Sequence, residues 1–362
     1  MITTTSLPAL PAELWMLIHR VALPDIAPSY DLASTNPLAA GDMKEYLQAV
    51  CHLVQVCRSW NALAHHLLYE NVWVNGHFDS LAAAVAQPET ARLVRRIRLS
   101  TTRLDHNDVI LRLCRQVALI VHPGFKNRAR PFDTAAQPSM ENMRALHWVQ
   151  TEDMQYRWYI LNRLLEASPN LSHLSLSTTT CCFTHCDMLF VPTLPNLTSL
   201  SLSHIRSFYV QPFFARGNEH LPRLTSLAIA SHHIKTGDVT PFPSLRTLKL
   251  LPEPATDEVP FSAIFELFPN LCELQYDVRS RIDYSDFRKP EGLECVRLCS
   301  PIKGLCHFAD AHFRLFMGPA FSALRRVVLD ASNWDLEWLR GNCPEYRVLG
   351  DELRRRGGGI VN

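Results

Sequence analysis

Glycine is scarce, 13 residues in a chain of 362, which weighs against folds built on glycine-rich phosphate loops. Neither sign of charge dominates: 36 Lys and Arg against 35 Asp and Glu leave a formal net charge of +1. Such a balance supplies no global field for polyanions, so neither nucleic acid nor a membrane surface is an expected partner. No apolar run approaches the ~20 residues needed to cross a bilayer. The opening Met1-Ile2-Thr3-Thr4-Thr5 places no basic stretch ahead of an apolar one, so no secretory signal is expected. Disulfide-framework spacing is missing as well. The 11 cysteines are odd in number and scattered, and read as reduced thiols of a cytoplasmic or nuclear protein. There is no H-E-x-x-H, no G-x-S-x-G and no P-loop. The one glycine run, Gly357-Gly358-Gly359, falls at the C-terminus, where a frayed end is expected. No catalytic residue, cofactor or metal is therefore assigned. With 47% hydrophobic and 20% charged residues, the composition is that of a folded globular chain.

Proline, by contrast, is plentiful at 24, and much of it is periodic. Leu171, Leu174 and Leu176 set a frame that returns at Leu197, Leu200, Leu202 and at Leu224, Leu227, Ile229. It continues at Leu245, Leu248, Leu250, at Leu271, Leu274, Tyr276, at Leu293, Val296, Leu298 and at Leu324, Val327, Leu329. Upstream, Val94, Ile97, Leu99 and Met143, Leu146, Trp148 fit it, and Val117 with Ile120 fits loosely. The first positions recur about every 26 residues, within the ~20–29 range of leucine-rich repeats. Pro169, Pro195, Pro222, Pro243 and Pro269 each stand two residues ahead of the first leucine. In L-x-x-L-x-L the last two apolar side chains share one face of a short strand, because alternate residues point the same way. One repeat cannot bury that face alone, so neighbours must stack. Helical spacing in 156–167, 261–268 and 308–316 returns the chain between strands. The fold class is α/β: a solenoid of about ten coils, parallel strands on the concave side and helices or turns outside. The asparagine that such repeats carry after the third apolar position is missing; Ile205, His232 and Glu253 stand there. Irregular coils are the expectation.

Residues 1–75 do not share the repeat. Leu14, Leu17, Ile18 and Val21 form one apolar helical face, begun near Pro11 and stopped by Pro24. Residues 24–42 read as a loop. A second helical pattern aligns Leu47, Val50, Val54 and Cys57 and leads into Val56-Cys57-Arg58-Ser59-Trp60 and Leu67-Leu68-Tyr69. The elements Leu10-Pro11-x-Glu13-Leu14, Ile18, Val56-Cys57-Arg58-x-Trp60-x-x-Leu63-Ala64 and Leu68-Tyr69 resemble the F-box family, in the family's order. The longer connection near 25–45 departs from its usual pattern and is similar to fungal members. The repeats resemble the leucine-rich-repeat partner domain of many F-box proteins. Three parts are thus expected: an F-box-like helical domain at 1–75, the repeat solenoid at 76–345 and a C-terminal cap or tail at 346–362.

The resemblance implies a substrate receptor of a Skp–cullin–F-box ubiquitin ligase, with the chemistry left to its partners. Leu10, Pro11, Leu14 and Ile18 would face the Skp-type adaptor, with Val54, Cys57 and Trp60 helping, although several could simply form the helical core. Strand alternation places Arg96, Arg98, His173, Ser175, Ser199, Ser201, Ser226, Lys249, Glu273, Gln275 and Arg297 on the concave floor, where a target protein would lie. Phe208 to Phe214 is a candidate anchor loop. The alternative is an interaction scaffold whose helical region only caps the solenoid. Two cysteine–histidine clusters, Cys181, Cys182, His185, Cys186 and Cys295, Cys299, Cys306, His307, His312, lack a second ligand pair at finger-like spacing and read as ordinary thiols. The arginine run from Arg92 to Arg115 reads as a solvated face, with a phosphate or acidic-peptide site as its functional alternative.

Overall fold

The computed structural model describes residues 40–74, 78–100, 104–123, 139–150, 156–178, 192–203, 217–230, 240–251, 258–278, 281–282, 292–299, 309–329 and 334–361, with Leu14, Leu17, Ile18, Val21, Leu23, Phe214, Ile234 and Pro290. They fall into two compact units, 1–149 and 150–362. The division lies inside the repeat region, not near residue 75.

Unit 1 contains helices α1 (Ala40–Val56), α2 (Arg58–Glu70), α3 (Phe78–Val85), α4 (Pro88–Ala91) and α5 (Leu104–Leu113). Its strands are β1 (Asn71–Trp73), β2 (Arg96–Arg98), β3 (Leu119–His122) and β4 (Ala145–Gln150), paired in parallel and in chain order. Unit 2 contains α6 (Tyr156–Glu166), β5 (His173–Thr178), β6 (Ser199–Ser203), α7 (Gly217–His220), β7 (Ser226–Ala230) and β8 (Thr247–Leu251). Next come β9 (Glu258–Val259), α8 (Phe261–Leu267), β10 (Glu273–Asp277), β11 (Arg281–Ile282) and β12 (Cys295–Cys299). The chain closes with α9 (Ala309–Met317), β13 (Arg326–Leu329), α10 (Leu336–Asn342), α11 (Pro344–Arg355) and β14 (Gly359–Val361). Here β5, β6, β7, β8, β10, β12, β13 and β14 are neighbours in that order, all parallel, while β9 and β11 pair separately. Every frame read from the sequence places its second apolar position in a strand, and the expected return helices at 156, 261 and 308 fall within a residue of α6, α8 and α9.

The prolines mark β-turns. In each coil the amide of the first frame leucine meets the carbonyl three residues back: Leu171 to Ser168 at 3.1 Å, Leu197 to Leu194 at 3.1 Å, Leu224 to Leu221 at 3.2 Å, Leu245 to Phe242 at 3.2 Å and Leu271 to Phe268 at 3.2 Å. Proline thus stands at the second turn position, where its fixed φ suits the turn and no amide is needed. A second regularity adjoins the turn. One carbonyl of each coil accepts two successive amides of the next, as Thr198 accepts from Thr225 and Ser226 at 2.9 and 3.0 Å, and Thr225 from Arg246 and Thr247 at 2.8 and 2.9 Å. Asparagine also has its ladder, but at the third turn position: Asn196 Nδ2 donates to the Pro169 carbonyl at 3.2 Å and Asn270 Nδ2 to that of Pro243 at 2.9 Å. Ile205, His232 and Glu253, the positions that lack asparagine, lie outside the described residues.

The two units differ in what covers the strands. In unit 2, Leu174, Leu176, Leu200, Leu202, Leu227 and Ile229 are buried on one face, where the returning helices pack. Phe261 of α8 meets Tyr276 of β10 edge-on at 5.9 Å and Phe321 at 6.2 Å, and Phe316 of α9 meets Phe321 at 5.4 Å. In unit 1 both faces are covered. Ile97, Ile120, Leu146 and Trp148 are buried as the frame predicts. The opposite side chains, Leu119, Val121 and Ala145, form a second core with Tyr46 and Val50 of α1 and Ala64 and Leu67 of α2. That second core is why the helices and the first coils make one unit. Helix α1 ends at Cys57, whose extended backbone breaks the continuous pattern; its Sγ accepts the Trp60 amide at 3.5 Å and so caps α2.

The C-terminal end is ordered. Gly357 takes φ +79° after α11, the left-handed conformation that ends helices, and β14 then pairs with β13 from Gly359 to Val361. Gly359 therefore begins a last strand, contrary to the frayed end expected of the glycine run. A Cβ on Gly358 would sit 1.8 Å from the Arg325 carbonyl oxygen, whereas one on Gly359 would meet nothing within 4 Å. Gly358→Ala is expected to cost about 2–3 kcal/mol through overpacking against backbone, and Gly359→Ala much less. Paired thermal melts check this, and equal melting temperatures for the two variants would refute the close approach.

Candidate protein-interaction surfaces

The residues assigned to the adaptor separate into three groups. Leu10 and Pro11 lie outside the described residues. Leu14 and Ile18 are helical and each 44% exposed, beside Leu17 at 58% and Val21 at 79%. These four carry the spacing of a single apolar helical face, and they remain open to solvent. Val54, by contrast, packs against the core shared by α1, α2, β3 and β4. Cys57 is an exposed helix cap and Trp60 is half-buried. Val56, also exposed at 60%, is not among the residues that the sequence assigns to the adaptor; its place just before the α1–α2 break turns it outward.

The floor residues divide by unit. Arg98 is buried and its guanidinium pKa is lowered by desolvation. Arg96 donates to Asn71 Oδ1 at 3.3 Å and approaches Glu70 at 3.8 Å. In unit 1 the sequence expectation of an open floor therefore fails for these two arginines, because α1 and α2 occupy the face of β3 and β4 to which they belong. In unit 2, Ser175, Ser199 and Ser201 stand opposite the leucines in strict register: His173 beside Ser199, Ser175 beside Ser201, Ser199 beside Ser226. Farther along, Lys249 stands beside Gln275, and Gln275 beside Arg297. Arg297 pairs with Glu273 across one strand at 3.4 Å, and Gln275 Nε2 donates to Cys299 Sγ at 3.0 Å. The neighbouring Cys295 side chain raises the pKa of Arg326. Of the candidate anchor loop only Phe214 is described, and it is buried edge-on against Phe242 at 5.5 Å.

The cysteine–histidine clusters resolve differently. Residues 181–186 lie outside the described residues, as do Cys306 and His307. His312 is buried between two partners, with Nε2 2.8 Å from the Val278 carbonyl and Nδ1 2.8 Å from the Tyr276 hydroxyl. A carbonyl only accepts, so Nε2 carries the proton and Nδ1 accepts from Tyr276. Burial holds its pKa down at about 4, against smaller raising effects of Val278 and Asp277. This is a neutral structural histidine with both nitrogens committed. Another group, Asp310, Cys343 and Glu345, has its ligand atoms within 4.8 Å of one another. Burial first, then the hydrogen bond to Asp310, pushes the Cys343 thiol up to about 12, and Arg314 holds Glu345 at 2.7 Å. A protonated thiol that caps α11 at the Tyr346 amide (3.4 Å) is a poor cation ligand.

Among the described residues no helix is long and apolar enough to cross a membrane. Compared with known families and with curated proteins, the chain finds no counterpart: no family model matches it and no curated protein matches it.

His312 makes acid stability testable. Its native pKa of about 4 lies below the ordinary 6.5, so the unfolded chain binds the proton first as pH falls. The contribution is fully present above pH 6.5 and shrinks towards pH 4, by a total on the order of 3 kcal/mol. Urea melts of the wild type and His312→Gln between pH 7 and 4.5 are expected to converge as pH falls; a difference independent of pH would exclude a buried neutral imidazole.

Proposed function

We propose that the chain is a substrate-recognition subunit of a Skp–cullin–F-box type ubiquitin ligase, not an enzyme itself. The observation that carries this reading is the helical face of Leu14, Leu17, Ile18 and Val21, exposed over 44–79% of each residue. Apolar residues at i, i+3, i+4 and i+7 normally face a core; left open together, they suit a partner's apolar groove. The F-box-like motif elements support the same face, and the repeat strands of unit 2 offer a separate surface for a target protein. The mechanism is proximity: holding a target beside the ligase raises the effective concentration of its lysines without any chemistry in this chain. The reduced thiols fit a cytoplasmic or nuclear site of action; all seven described cysteines are free.

A second reading draws on a different observation. The core formed by Tyr46, Val50, Ala64 and Leu67 with Leu119, Val121 and Ala145 makes α1 and α2 a cover for the first coils. A solenoid end needs such a cap, so the helices would have work to do in a scaffold with no adaptor.

Co-expression with a Skp-type adaptor separates the two. The ligase reading expects co-elution of the wild type and a loss of more than about 100-fold in affinity, near 3 kcal/mol, for the Leu14→Asp, Ile18→Asp double variant. Because both residues are already exposed, the variant should melt within about 0.5 kcal/mol of the wild type. A folded wild type that elutes alone rejects the ligase reading and leaves the scaffold.

A further inference from the structure

Positive charge in this chain is carried almost entirely by one of its two available residues. There are 30 arginines and six lysines, although lysine is ordinarily among the commonest residues. Among the described residues 15 arginines are exposed against one lysine, Lys44 near the start of α1. The other described lysine, Lys249, is half-buried.

The fold needs few of these arginines as arginines. Arg356 is one: Nε meets Glu352 at 2.9 Å while an Nη reaches the Phe321 carbonyl at 2.7 Å, a fork that an ammonium point charge does not copy. Arg98 is a second, since it is buried and a weakly hydrated guanidinium suits such a place better than an ammonium. Arg354 and Arg355 differ. Their side chains are 70% and 72% exposed, and they meet Asp351 and Glu352 one turn back on α11. Exposed pairs of this kind form equally with lysine. Arg92, Arg325, Arg340 and Arg347 are exposed as well, and there either cation supplies the same charge.

What separates the two residues at such positions is chemistry. The lysine amine is a nucleophile and the target of ubiquitination, whereas the guanidinium stays protonated and is inert. Proximity gives that difference weight. A receptor brings a target's lysines beside a ubiquitin carrier only while the target is bound, but its own lysines stay there throughout. In the reaction, an ε-amine attacks the carbonyl of a ubiquitin thioester on the carrier. The isopeptide bond forms, the thioester bond breaks, and the amine's proton leaves with the carrier thiol. Every exposed amine on the receptor would compete with the target for that carbonyl.

We propose that arginine in place of lysine makes this surface a poor ubiquitin acceptor, so that the chain is spared within its own ligase and transfer goes to the bound target. The inference rests on the ligase reading and adds a means of regulation to it.

The test is self-modification in the reconstituted ligase, with adaptor, cullin, charged carrier and labelled ubiquitin but no target. A variant with Arg92→Lys, Arg325→Lys, Arg340→Lys, Arg347→Lys, Arg354→Lys and Arg355→Lys adds six lysines to the existing six at unchanged net charge. Its initial rate of self-modification is expected to exceed that of the wild type at least about twofold, with isopeptide linkages mapped to the altered positions. Melting and adaptor co-elution should match the wild type. Should the six changes together lower melting, the three on α11 alone (347, 354 and 355) face the same criteria. A smaller increase, or linkages that avoid the altered positions, overturns the inference and leaves the ligase reading standing. A wild type that elutes without adaptor rejects the ligase reading, and this inference with it.

Discussion

A single coil of this chain cannot hold itself together, and most of the architecture stems from that. Leu224, Leu227 and Ile229 are each 0% exposed, yet a lone strand would leave all three in water, at about 1.5–3 kcal/mol apiece. Stacking is the only remedy, and stacking demands that every coil arrive in the same register. The turn ahead of each strand and the carbonyl that accepts two amides from the next coil enforce this. Both act on backbone, which every residue carries, so the intervening connections are free to vary in length from coil to coil.

The two units answer the same demand with different faces. Unit 2 places its leucines on one side and leaves serine, lysine and arginine on the other. Unit 1 has apolar residues on both, and its helices close the second side. A parallel sheet covered on both faces reads in sequence as a continuous apolar run, whereas one covered on a single face alternates. Ala118-Leu119-Ile120-Val121 against Ser199-Leu200-Ser201-Leu202 is that contrast, written in four residues each.

Much of this architecture is legible in the residues alone. The leucine frames locate the strands because a period of two and a repeat near 26 leave few alternatives, and helical spacing marks α6, α8 and α9. The features that escape do so for physical reasons. Arg96 and Arg98 obey the alternation, but alternation says nothing of what lies over a face, and α1 and α2 arrive from more than 25 residues away in sequence. The apolar run at 119–121 carries the signal, yet it fits the leucine frame only loosely. Gly357 to Gly359 read as a frayed end because glycine signals both freedom and close approach; the Arg325 carbonyl decides for the latter. Cys57 sits inside a continuous helical pattern, and a thiol cap is not a usual helix stop.

One junction has an evolutionary meaning. Helix α2 ends at Glu70 and β1 begins at Asn71, with no linker, and the helices share a core with β3 and β4. Exchange of the repeat coils between proteins of this architecture could not cut near residue 75 without stripping Leu119, Val121 and Ala145 of their cover. Any exchange of coils would therefore carry the first coils together with the helices, as a fixed piece.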